Sequence, residues 1–175
     1  MAVISYIGGT VAICVGTPAT IDASGFASVG SYITAGQIVE WGDTGDVSED
    51  ITVTTLAGRT LHTNGAKDGG SIAFTLQYEL TDAGQVIMRA QNNGNNDVCI
   101  KITDPDGKTE YSAGRLANLR QMKRAAGQYK GMTGVFRVNT AVVTLSLIHI
   151  SEPTRRSYIS YAVFCLKKKA KASMI

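Results

Sequence analysis

The run Ser71–Leu80, SIAFTLQYEL, sets Ile72, Phe74, Leu76 and Tyr78 on one face of an extended chain. A hydrophobic period of two is the signature of a strand with one buried face, and no helix can satisfy it. Ile51–Leu56, ITVTTL, alternates in the same way, as do Val98, Ile100 and Ile102 around Cys99 and Lys101. Turn chemistry recurs between such runs. Asn64-Gly65 and Asp68-Gly69 are turn dipeptides, and Asp104-Pro105-Asp106-Gly107 is a hairpin turn with a physical reason for each residue. The expected fold is mainly β: an antiparallel β-sandwich or small barrel of about seven strands with one packed helix.

The remaining strands follow from shorter signals. Ala2–Val15 reads as a first strand interrupted at Gly8-Gly9, and Thr17–Gly25 as an extended stretch in which Pro18 disfavours helix, so that residues 1–25 form an N-terminal arm. Tyr32–Ile33 and Gln37–Trp41 are short strands. Lys108–Lys123 is expected as one long bent strand and Met132–Val143 as the closing strand, with Val135, Val138 and Val142 inward. The helix starts at Thr81 or Asp82, carries Val86, Ile87 and Ala90 as its apolar stripe, and ends at Asn92-Asn93-Gly94. Gly42–Asp50 is read as an acidic loop, and Ala57–Gly70 as the longest structureless segment. Loops of that length inside a compact domain are usually functional or mobile.

Charge needs care, because it is unevenly distributed. The whole chain of 175 residues carries a formal net charge of +3, which would point toward nucleic acid or an anionic membrane. The excess lies at the end. Leu145–Arg155, LSLIHISEPTR, resembles the conceptual translation of a transposase mosaic end and adapter arm used to build sequencing libraries. Ile159–Leu166, ISYAVFCL, resembles the translation of the flow-cell arm that follows a sample index. Two nucleotides of the Arg156 codon and the codons of Ser157 and Tyr158 fill the gap with eight nucleotides, the length of a common index. Lys167–Lys169 then reads as a run of adenines. Residues 145–175 are therefore expected to be an adapter-derived artefact and residues 1–144 the protein domain.

Setting that segment aside removes six Lys and Arg residues and one acid, and the balance becomes about −2. What remains is polar along its length. Residues 1–80 hold Arg59 and Lys67 against eight acids, whereas residues 81–144 hold nine bases against five acids. Such asymmetry suits head-to-tail or edge-to-edge assembly. Cys14 and Cys99 lack a CxxC spacing or partner histidines and read as ordinary buried thiols. The first positive side chain is Arg59, so no basic secretory n-region is visible, and Ala2–Val15 is too short to span a bilayer.

Catalytic chemistry finds little to work with. His62 is the one histidine of residues 1–144 and lies in a glycine-rich segment, so no Ser/His/Asp set assembles convincingly around it. Asp43, Asp46, Glu49 and Asp50 form the densest carboxylate cluster. They lack the alternating ligand order and closing glutamate of a calcium loop, and an interface-facing or lumen-facing acidic loop is the preferred reading. No catalytic, metal or cofactor site is expected. A binding or structural role remains.

The ordered series Trp41-Gly42-Asp43, Ile51–Leu56, Gly58-Arg59, Asn64-Gly65, Asp68-Gly69-Gly70, a strand, and Asp82-Ala83-Gly84-Gln85 resembles the major tail tube family of long-tailed phages. Ile102-Thr103-Asp104, Asp106-Gly107-Lys108 and Val135–Thr140, VFRVNT, are similar to that family's later strands. The resemblance spans roughly residues 17–143.

It implies a structural virion protein and not an enzyme. Copies would join into rings, hexameric in that family, and the rings would stack into a conduit for DNA. Implied partners are further copies of the chain, with tape measure, tail terminator and distal tail proteins. DNA would pass without specific binding, and no membrane is involved. The implied location is the virion tail, after synthesis in the bacterial host cytoplasm. The stacking contact is expected from the Ala57–Gly70 loop, through Arg59, His62, Asn64, Lys67 and Asp68, together with Thr17–Gly25. Two alternatives remain open: a related contractile-tail or secretion-system tube, and a free-standing β-sandwich minor virion or binding module.

Overall fold

A computed structural model describes residues 5–145. Of the segment read above as adapter, only Leu145 falls within them. In chain order the elements are β1 (Thr10–Val15), α1 (Ala23–Ser28), β2 (Ile33–Ala35), β3 (Ile38–Trp41), β4 (Val47–Thr54) and β5 (Thr60–Asp68). There follow β6 (Ser71–Gln77), α2 (Ala83–Gln91), β7 (Val98–Thr103), β8 (Thr109–Gln121), β9 (Gly131–Val138) and β10 (Val143–Leu145). The described residues thus hold ten strands and two helices, mainly β as expected but with more and shorter strands than seven.

Eight strands make one antiparallel sheet in the order β2-β1-β7-β8-β9-β6-β3. The eighth, β10, pairs with Thr109–Tyr111 of β8 beyond the stretch that pairs with β9. The two outermost strands of this order, β2 and β3, are separated in sequence by Gly36 and Gln37 alone. A link of two residues spans only about 10 Å, so the sheet must curl until its two edges meet. The result is a closed sandwich-like barrel. Gln37, at φ 62°, makes the sharp turn between the edges.

Helix α2 clamps that closure. Asp82 caps it by accepting from Gln85 N at 2.7 Å, and the other carboxylate oxygen accepts from Gly36 N at 3.0 Å. The Gln85 side chain is buried and uses all its polar atoms: Nε2 donates to Gly36 O (3.1 Å) and Gln77 O (2.9 Å), and Oε1 accepts from Glu79 N (2.9 Å). Gly84 admits this close approach, since a Cβ there would lie 2.5 Å from Ala35 Cα. The buried face of α2 is accordingly Gly84, Gln85 and Met88. The expected stripe is corrected: Ile87 is half-buried, while Val86 and Ala90 face solvent. A polar side chain that satisfies every bond was the inward residue, and apolar periodicity does not register it.

Ile72, Phe74 and Leu76 pack inward as their spacing requires, against Ile13, Ile100, Leu116 and Phe136. On β9 the inward residues are Met132, Phe136 and Val138, whereas Val135 is only half-buried. The expected closing strand is interrupted at residues 139–142, where Asn139 N and Thr140 N both donate to Ala113 O before β10 resumes. The first strand begins only at Thr10, after Gly8 and Gly9.

Beyond Pro18 the expected arm is not extended throughout. Asp22 accepts from Gly25 N at 2.7 Å and nucleates α1. This helix lays Phe26 over the outer face of β1, β7 and β8, in a second cluster with Cys14, Cys99, Tyr111 and Ala113. The centre of the sheet is therefore covered on both faces, which accounts for consecutive buried residues at Val11–Cys14 and Val98–Ile100.

Cys14 and Cys99 sit directly opposite each other on paired strands. Burial pushes the Cys99 thiol up to about 11 from an ordinary 9.0. Both thiols are thus expected to escape alkylation at neutral pH in the folded protein and to react fully in denaturant, as peptide mapping would read. The folded pKa lies above the unfolded one, so the protonated thiol's contribution to stability is complete below pH 9.0 and is lost as pH rises toward about 11. Cys99→Ala should lessen the alkaline decline and leave the part due to Cys14, whose thiol burial also pushes up.

Candidate functional site

Between Trp41 on β3 and Ser71 on β6 the chain leaves the barrel as a separate two-stranded sheet, β4–β5. One arm of this hairpin is the expected strand from Ile51, extended back into the end of the acidic loop, and the other is the long loop of the sequence reading. Asp43 and Asp46 lie in the link that leads to it. Glu49 occupies the register shift between Ser48 and Asp50, and Asp50 is on β4 opposite Asn64. His62, Asn64, Lys67 and Asp68 are on β5, and Arg59 closes the turn, where its carbonyl accepts from Thr55 N and Thr55 Oγ1. The expectation of a structureless Ala57–Gly70 is corrected. Residues Thr60–Asp68 form a strand that pairs with the expected strand at Ile51–Thr54 and, beyond it, with Val47, Ser48 and Asp50 of the supposed acidic loop.

The register divides the hairpin into two faces. Asp50, Thr52 and Thr54 pair with Asn64, His62 and Thr60 on a polar face, where His62 Nδ1 lies 2.9 Å from Asp50 Oδ2. Ile51 and Val53, opposite Thr63 and Leu61, lie on the other. Gly65 leaves room on that face for Ile51, whose Cδ1 would be 2.9 Å from a Cβ there. Ile51, Val53 and Leu61 are each about half exposed, and Val47 and Leu56 more so. A two-stranded hairpin alone in water is marginal at best. One with an uncovered apolar face is an association surface. The sequence reading singled out the polar residues of this hairpin and missed Ile51, Val53 and Leu61; the alternation in ITVTTL, with no second apolar layer to receive it, was the available signal.

Electrostatics reinforce the exposure. From Asp43 to Gly70 the hairpin and its links carry five carboxylates against Arg59 and Lys67. Thr44 Oγ1 donates to Glu110 Oε2 at 2.8 Å, and Lys108 Nζ is 2.6 Å from Glu110 Oε1, so the base of the hairpin is tied to the start of β8. Burial pushes the Glu110 carboxyl up, yet these hydrogen bonds and the Lys108 charge bring it below the ordinary range. Asp68 accepts from Gly70 N and shapes the exit turn. Among the described residues, no group of three His, Cys, Asp or Glu side chains could hold a metal ion, and no helix is long and apolar enough to cross a membrane.

No protein-family model and no curated sequence matches the chain. Solved structures do. A chain of the sheath/tube terminator assembly of an extracellular contractile injection system superimposes with a TM-score of 0.57 at 10% identity, covering 83% of this chain and 99% of that one. The SPP1 tail tube matches with a TM-score of 0.57 at 11% identity, over 80% of this chain and 78% of that one. The tail of an empty GTA particle, refined with C6 symmetry, matches at 0.54 and 10%, over 67% and 88%. The fold is that of tail tube and injection-system tube proteins.

Proposed function

We propose that this chain is a tail tube subunit, which assembles with copies of itself into stacked rings around a channel for DNA. The observation that carries the reading is the β4–β5 hairpin, whose apolar face has no cover among the described residues. The surrounding fold is shared with assembled tubes, and the sixfold symmetry of the GTA tail favours a hexameric ring. Sheet edges and apolar patches of this kind are made safe by pairing with further copies. Without residues 145–175 the chain is near neutral to slightly acidic, which suits a wall past which a polyanion slides without accumulating phosphate contacts. Tape measure, terminator and distal tail proteins would bound such a tube, and a structural role of this kind requires no catalysis. The acidic link at Asp43 and Asp46, with Arg59, Lys67 and Asp68 and with His62 and Asn64 of the polar face, are the proposed contacts that accompany the apolar face.

Electron microscopy of the concentrated chain tests the reading: rings or tubes support it, and persistent monomers refute it. Ile51→Thr, Val53→Thr and Leu61→Thr combined keep strand propensity while removing the apolar face. The triple variant should melt within a few degrees of the parent yet form no tubes. Normal tubes from it would remove the hairpin from the interface. Residues 145–175 are proposed to have no part in assembly, and reading the source genome beyond the Thr144 codon would show different codons there.

A further inference from the structure

The loop joining β8 to β9 is a second exposed feature among the described residues. Arg120, Lys123, Arg124 and Lys130 give residues 120–130 four cations and no carboxylate. Residues 123–130 are all exposed, and among the described residues none of the four cations has an ion-pair partner. The tip is concave, lined by Met122, Lys123, Arg124, Tyr129 and Lys130. Lys130 is held over the Tyr78 ring at 4.0 Å, which fixes one side of the dish.

Its position relative to the hairpin follows from register. Gln77 at the end of β6 pairs with Gly131, and Tyr78 N donates to Lys130 O, so the basic tip lies at the C-terminal end of β6. The hairpin joins the barrel at the other end of the same strand. Gly42 N donates to Ala73 O, and Val138 N donates to Gly70 O. The seven residues of β6 separate the two by about 20 Å. The four cations of the tip and the acids Asp43, Asp46 and Glu49 therefore lie at opposite ends of β6, with Arg137, opposite Ser71, a lone cation of β9 at the hairpin end. Asp43, Asp46 and Glu49 are also without ion-pair partners among the described residues.

We infer that the basic β8–β9 tip of one copy docks on the acidic hairpin base of the next copy, making the contact between copies heterologous and directional. The inference rests on the tube reading and adds to it which surfaces meet and in what sense. Two unlike surfaces that face outward at opposite ends of a subunit meet when the next copy is set end to end in the same sense, so they propagate head to tail. Complementary charge fixes the register and speeds encounter, while like charges facing each other oppose it. The sixfold repeat does not depend on this contact, which links successive copies along the strand direction.

The test is a charge swap on the whole chain. A tip variant (Lys123→Glu, Arg124→Glu, Lys130→Glu) and a base variant (Asp43→Lys, Asp46→Lys, Glu49→Lys) each place like charges at the contact. Each alone should raise the concentration at which light scattering detects assembly at least about a hundredfold. Mixed in equal amounts they should assemble again, because each then offers the charge the other lacks. All six positions are exposed, and circular dichroism should show unchanged folding. If a reversal proves insoluble, the neutral variants with Gln and Asn should weaken assembly less but in the same direction. Parent assembly should also weaken between about 0.05 M and about 1 M salt.

Unaltered assembly by both variants, or no recovery on mixing, overturns the inference while leaving the tube reading intact. Parent chain that never assembles overturns both. If the tip instead retains double-stranded DNA in a gel shift that the tip variant abolishes, with assembly unaffected, the tip is a phosphate-binding surface and the docking inference falls.

Discussion

Gly114→Val is expected to leave no cooperatively folded protein, and Gly114→Ala to lose about 4 kcal/mol or more of stability. A Cβ at this position would lie 1.9 Å from the carbonyl oxygen of Arg137 and 2.9 Å from its carbon. Both atoms are backbone in the partner strand, so no side-chain rotation relieves the clash. Nor can β8 retreat. Gly114 faces Val138 on β9 and Val98 on β7, with the Phe136 ring 3.1 Å from the same point. The strands would have to part at the centre of the sheet, where the order β7-β8-β9 carries the core. With native stability of about 5–15 kcal/mol, a loss of that size removes much of the margin. Urea unfolding followed by circular dichroism would measure it, and a midpoint equal to the parent's would contradict the account.

Gln85→Leu is the second large expected loss, about 3 kcal/mol or more. The substitution keeps size and improves apolarity, and by helix propensity alone it would be harmless. It strips partners from Glu79 N, Gly36 O and Gln77 O at a site closed to water. Each buried polar group left unsatisfied costs about 1–3 kcal/mol. The damage is expected to be local in its first stage. Hydrogen exchange should rise earliest at Gly36–Trp41 and Gln77–Glu79, where the two sheet edges meet, before global unfolding. Gln85→Glu at low pH should recover part of the loss. The protonated acid restores the acceptor to Glu79 N and one donor, and ionisation as pH rises withdraws that donor and buries a charge.

These two residues also mark how far the sequence could be read. The strands with one wet and one dry face were legible: Ile72, Phe74 and Leu76 went inward as spaced, and Asp104-Pro105-Asp106-Gly107 turned β7 into β8. The long bent β8 was legible as well, its bend falling at Asn118 with φ 56° and a shifted register between Ala117 and Arg120. Where burial did not follow hydrophobicity, the pattern misled. Gln85 took the inward place that Val86 was expected to hold, and Phe136 displaced Val135 because parity on β9 is set by its pairing with Ala117 and Leu116. The strand β5 was invisible because Thr60–Asp68 buries neither face among the described residues. Its glycine and asparagine, read as loop residues, occupy a strand held by β4 alone.

The candidate site was half legible for the same reason. Its charged members could be named one by one, since carboxylates and cations are visible in any conformation. That Asp50 and His62 would lie 2.9 Å apart required knowing that two supposed loops pair. The opposition of the acidic and basic ends needed the register of β6 with β9, which joins residues more than fifty positions apart. No local signal encodes it.

The place where the hairpin leaves the barrel has an evolutionary corollary. Trp41 and Phe74 are neighbours across β3 and β6 whatever the chain does between them, because the sheet fixes both ends of the insertion. Residues 45–68 are thus a cassette mounted on a finished scaffold, free to lengthen, shorten or change sequence without reworking the interior, while Thr44 and Gly69 anchor it against Glu110 and Val138. On the proposed tube reading, lineages built on this barrel would diverge in which copies they accept as neighbours by exchanging that cassette. Two such proteins in one cell would then sort into separate polymers while keeping the same core.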